Sequence, residues 1–96
     1  MNVRINPIHF EIADRLVNFV NKKAERIAHR TPEITEFTVN FRLVKPETNL
    51  NKEATVKVSI PQGGDIVATK TCDTFEDAFD SAVEAVERQI EKRKAK

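Results

Sequence analysis

The sequence contains no tryptophan, no tyrosine, a single cysteine and only two glycines. Each shortage closes off a class of function. One cysteine, Cys72, excludes an internal disulfide and suits a reducing compartment, so a cytoplasmic protein is expected. Without Trp or Tyr there is no stacking platform for single-stranded nucleic acid, and the phenylalanines fall in apolar sets that read as core. The two glycines are adjacent. Pro61-Gln62-Gly63-Gly64 is a tight-turn signal, and neither GxxxxGK[ST] nor GxGxxG occurs. No apolar run approaches the roughly 18 residues of a membrane span, and no signal-peptide core is expected at the N-terminus. His9 and His29 have no cysteine or carboxylate at metal-ligand spacing, and Cys72 reads as a small core residue. The expectation is a protein without catalysis, metal or cofactor.

What is present is a regular alternation of patterns over 96 residues, enough for one domain spanning 1–96. Residues 74–96 read as a helix. Phe75, Phe79, Ala82, Val83, Val86 and Ile90 recur at three- and four-residue steps, Thr74 is the expected N-cap with Asp77 three residues on, and the basic tail 94–96 is expected to fray. Residues 1–6 read as a short strand, broken by Asn6-Pro7. A first helix begins near Ala13, with Ile12, Leu16, Phe19, Val20, Ala24 and Ile27 as its apolar stripe, and ends at Thr31-Pro32. Residues 34–44 alternate strictly, with Phe37, Val39, Phe41 and Leu43 on one face. A polar loop over 45–51 leads to a third strand over 53–60. The turn then gives a fourth over 65–72, whose inward set is Ile66, Ala68 and Cys72; Lys70 does not fit that register.

The order β-α-β-β-β-α predicts an α+β fold: a four-stranded sheet with two parallel helices on one face. A right-handed β-α-β crossover makes the first two strands parallel. The meander then makes the fourth strand parallel to the second, so both helices run the same way and their basic C-terminal ends meet. Residues 22–30 and 88–96 together hold nine bases and two acids, net +7, within a chain of net charge +1. In the first helix Arg15, Lys22, Arg26 and Arg30 share a flank, with Lys23 at the edge of the core. In the second, Arg88, Lys92 and Lys96 lie below Ser81 and Ala85, with the acids expected on a different flank. Cations held about a groove's width apart suit phosphates, and carry no base code. A solvated face or a protein interface fits the same residues, and a protein-interaction or small-enzyme role on the polar face of the sheet is a separate reading.

Two stretches carry a resemblance. They are Phe10-Glu11-Ile12-Ala13-Asp14-Arg15-Leu16 with Phe19-Val20-Asn21-Lys22-Lys23-Ala24-Glu25-Arg26-Ile27, and Ala78-Phe79-Asp80 with Val83 and Glu87-Arg88-Gln89-Ile90-Glu91-Lys92. At this spacing the chain resembles the short ribosome hibernation-promoting factors, also called the protein Y or sigma-54 modulation family. The resemblance implies a fold similar in shape to a double-stranded RNA-binding domain, and a ribosome-associated translation inhibitor whose partner is the small ribosomal subunit and its ribosomal RNA. Such a factor would sit in the mRNA/tRNA channel and store ribosomes inactive under stress. It implies RNA contacts at Lys23, Arg26, Arg88 and Lys92; Lys22, His29 and Arg30 lie beside them. It also implies a short form, without the extra domain of longer relatives. This chain departs from the pattern at Ala13, where a Thr cap is usual, at Ala85, where many relatives have Lys, and at the entry to the second helix, where Glu76 stands at the usual Tyr position. A free-standing double-stranded RNA-binding module is the alternative reading.

Overall fold

The computed structural model describes residues 1–44, 50–61 and 63–94, without the side chain of Lys94. Six elements follow the expected order: β1 (Asn2–Ile8), α1 (Asp14–Arg30), β2 (Glu36–Leu43), β3 (Lys52–Ile60), β4 (Gly64–Cys72) and α2 (Phe75–Lys94). The sheet runs β1-β2-β3-β4, with β1 parallel to β2 and the other neighbours antiparallel. Most of the expected 45–51 loop, Gln62 of the turn, and the tail beyond Lys94 lie outside the described residues.

Alternation decides which face is buried. Phe37, Val39 and Phe41 of β2, Ala54, Val56 and Val58 of β3, and Ile66 and Ala68 of β4 point into one core with both helices. Three details differ from the sequence reading. Asn6-Pro7 does not break β1: Pro7 pairs with Phe41 and the strand continues to Ile8. β1 is an edge strand, where a residue without an N–H is tolerated. The chain turns instead at His9, whose φ of 64° is left-handed. Leu43 stays 48% exposed, because it lies beyond the last β1–β2 pair and opposite Lys52 at the sheet's end. Lys70 does keep the register of Ile66, Ala68 and Cys72, facing the same side as its partner Ala54. It sits on the other edge strand and remains exposed, a charge that hinders edge-to-edge pairing.

The hairpin between β3 and β4 closes at Ile60 and Gly64, and Gly64 takes a φ of 77° that only glycine adopts cheaply. Beside it, the Ser59 side chain and then Lys57, at 3.3 Å, hold the Asp65 carboxyl below its ordinary pKa. A depressed carboxylate contributes above its unfolded pKa, and that contribution is lost as pH falls through the lowered value.

α2 lies over β3 and β4, and α1 sits beside it on the β1 side. Phe79 is fully buried and meets Phe19 and Phe37 edge-on, with ring centroids at 5.9 and 6.2 Å. Phe75 stacks on Phe10 at 5.0 Å and meets Phe41 edge-on, which fastens the chain entering α1 to the start of α2. Thr74 caps α2 as expected, its Oγ1 accepting from the Asp77 amide at 3.1 Å. α1 has no such bond: Ala13 occupies the N-cap with φ −73° and ψ 143°.

Two outcomes follow. Phe79→Ala should destabilise by about 3–5 kcal/mol in a denaturant titration, the range for a buried aromatic truncated to Ala; under about 1 kcal/mol would contradict the packing described. Ala13→Asp supplies the missing acceptor on a backbone already in capping geometry. It should raise stability by about 0.5–2 kcal/mol, whereas Thr74→Ala should lower it by a similar amount.

Candidate nucleic-acid interface

Two ion pairs join the helices side by side. Lys23 Nζ lies 3.0 Å from Asp80 Oδ1, and Arg30 Nη1 donates to Glu87 Oε2 at 2.9 Å. Both pairs span 57 residues, and each helix advances seven residues between them, two turns or about 10.5 Å. Antiparallel helices could not repeat one offset in this way. The expectation that α1 and α2 run in the same direction is therefore met.

The same contacts change the reading of the acids. They do keep a flank of their own on α2, but it lies between the two basic rows: Asp80 and Glu87 face α1, and Glu84 approaches Arg88 at 3.8 Å. At about 100° per residue, α2 presents Asp80 and Glu87 towards α1, next Glu84 and Glu91, and only then Arg88 and Lys92. The basic ends do lie at one end of the molecule, but a band of carboxylate runs between them. Including the three paired acids, the two windows fall from net +7 to net +4.

The seven candidate residues therefore divide by environment. Lys22, Arg26 and His29 are exposed on α1 and share one outward stripe at three- and four-residue spacing, which Arg15 and Asn18 extend. Arg88 and Lys92 are exposed on α2, one turn apart. The Glu84–Arg88 contact leaves both side chains 71% exposed and is a weak tie. Lys23 is different. Its side chain is half-buried, and its ammonium stands 6.0 Å from the centre of the Phe19 ring. Asp80 Oδ1 is buried and accepts no hydrogen bond, so the nearby ammonium is its electrostatic partner without being an aligned donor. Arg30 remains mostly exposed while held by Glu87. A groove lined by Lys23, Arg26, Ile27, Arg30 and Glu87 marks where the helices meet.

Sequence reasoning missed the pairing roles of Asp80 and Glu87. The signal was present: Lys23/Arg30 and Asp80/Glu87 share the same seven-residue step. Sequence reasoning counted Arg93 only as one of the nine bases of the two windows and gave it no contact. Arg93 instead donates to the Gly63 carbonyl, tying the last turns of α2 to the β3–β4 turn. Ala85, where a lysine is common in the resembled family, is half-buried against the core. Among the described residues no group of three or more His, Cys, Asp or Glu is placed to hold a metal ion, and no helix is long and apolar enough to cross a membrane.

Similarity to known proteins agrees with this architecture. Two curated relatives from Pseudomonas putida, each called ribosome hibernation promoting factor, are 28% identical over 96 residues, covering 100% of this chain and 89% of the relative. Among solved structures, a ribosomal subunit interface protein from Coxiella burnetii matches with a TM-score of 0.85 at 26% identity, covering 100% of both chains. The Protein Y N-terminal domain of Thermus thermophilus matches with a TM-score of 0.78, covering 96% of this chain and 98% of that one; at 24% identity it supports the fold alone. The family model for Sigma 54 modulation protein / S30EA ribosomal protein matches residues 3–96, and the chain belongs to that family.

Proposed function

We propose that this chain is a ribosome-associated translation inhibitor that binds the small ribosomal subunit in its mRNA/tRNA channel and holds ribosomes inactive under stress. The observation that carries the reading is the joint one of family and surface. A chain whose relatives are named for ribosome hibernation and the subunit interface presents exposed Lys22, Arg26 and His29 beside exposed Arg88 and Lys92, all on parallel helices. Ribosomal RNA is the polyanion such a surface would meet, and the cytoplasm is where it would meet it. In this reading the five exposed residues contact phosphates. Lys23 and Arg30, whose charges already face Asp80 and Glu87, set the distance between the two stripes. Binding of this kind is positional and electrostatic, and needs no reaction at any residue.

Salt is the first test. The four cations among the five exposed residues, Lys22, Arg26, Arg88 and Lys92, would give a log–log slope of about −2.8 to −3.6, so a threefold rise in salt should weaken binding to small subunits by roughly twenty- to fiftyfold. Affinity that barely moves over that range would remove phosphate contact from the account.

Substitution is the second. Lys22→Ala with Arg26→Ala, and separately Arg88→Ala with Lys92→Ala, should each reduce co-sedimentation with small subunits. Each should change stability by less than about 1 kcal/mol, because these charges are exposed. Lys23→Ala should behave in the opposite way. It strands the buried Asp80 oxygen and should cost about 1–3 kcal/mol of stability. Full binding by both double variants would reject the site. Competition by duplex RNA as effective as by ribosomes would favour a free-standing duplex-binding module instead.

A further inference from the structure

The acids of α2 are in an unexpected place for a phosphate-binding surface. Asp80 and Glu87 point at α1 from the floor of the interhelical groove, and by helical periodicity Glu84 and Glu91 continue the band outward. Glu91 lines a hollow together with Arg30, Thr31, Glu87 and Ile90, which puts it in the same neighbourhood as the Arg30–Glu87 pair. The groove is lined by three bases, Lys23, Arg26 and Arg30, but two of them are already matched by carboxylates. A phosphate that pairs with Lys23 or Arg30 there must displace a carboxylate from its cation, and wherever it sits in the groove it remains beside Asp80 or Glu87.

We infer that this carboxylate band determines specificity: it keeps RNA phosphates out of the interhelical groove and admits only an RNA that bridges it. Such an RNA places phosphates on the α1 stripe of Lys22, Arg26 and His29 and on the α2 stripe of Arg88 and Lys92, while Arg30–Glu87 stays closed. An RNA of arbitrary contour settles into the groove and meets like charge. Discrimination by repulsion in this way costs the correct partner little, because its phosphates lie elsewhere. The inference rests on the functional reading above, and the repulsion itself can be measured on duplex RNA without a ribosome.

The test uses the full chain with Glu87→Gln and, separately, Glu91→Gln. The first opens an ion pair that joins the helices; the second removes charge from the band without touching either interhelical pair. Binding of each to a generic duplex RNA of about 16 base pairs is measured against salt, beside co-sedimentation with small subunits. Each variant should bind the duplex roughly two- to fivefold more tightly at low salt, in keeping with the modest strength of exposed charge pairs. Glu87→Gln should also steepen the salt slope by about 0.7–0.9, as Arg30 gains a phosphate. Affinity for small subunits should stay within about twofold of the parent. Unchanged duplex binding in both variants overturns the inference. So does an equal gain on duplex and on small subunits, which would make the band a matter of total charge alone. A parent chain that fails to bind small subunits rejects the proposed function, and the duplex measurement still decides whether the band repels RNA.

Discussion

A sheet that is apolar on only one face must receive all its cover from one side. Here that constraint governs everything else. Phe37, Val39, Phe41, Ala54, Val56, Val58, Ile66 and Ala68 line the inner face, and neither helix alone is wide enough to shield four strands. α1 and α2 must therefore lie side by side. The parallel β1–β2 crossover and the meander that follows then fix their directions as the same. Once both helices are parallel on one face, residues 57 apart in sequence become lateral neighbours, and Lys23–Asp80 and Arg30–Glu87 are the result. The ion pairs do not create the fold. They record a register that apolar burial has already imposed, and they refine it.

Most of the architecture was legible because it depends on periodicity, and periodicity is carried by every residue of an element. The inward sets of β2 and β3 and the stripes of both helices needed no knowledge of their partners. What misled was local. Asn6-Pro7 looks like a break, but a proline signal has no way of stating that its strand will be an edge. Leu43 continues a perfect alternation, and only the position where the neighbouring strand stops leaves it exposed. The candidate site was legible to a lesser degree. Helix periodicity placed Lys22, Arg26, Arg88 and Lys92 outward, and they are exposed. It could not say what lies opposite Lys23 or Arg30, because that depends on how far one helix slides along the other. The contact of Arg93 with the Gly63 carbonyl likewise joins a helix end to a turn 30 residues earlier, which no pattern within either segment encodes.

Charge counted along a chain and charge counted in space are different quantities, and this surface depends on the second. Two sequence windows of net +7 suggest a polyanion trap, but the acids that fold places among them belong to the same surface and lower its field. Long-range attraction follows the summed charge, so the approach of any nucleic acid is only modestly favoured. Close contact follows local arrangement, where Lys22 and Arg26 on one side and Arg88 and Lys92 on the other are exposed and, among the described residues, paired only through the weak Glu84–Arg88 tie. A surface of this kind gives little affinity to charge alone. It gives affinity to spacing, because two separated rows of cations are satisfied together only by an RNA with two phosphate tracks held apart to match. Folded RNA holds its phosphates in such fixed positions, and a flexible strand would have to spend conformational entropy to imitate them.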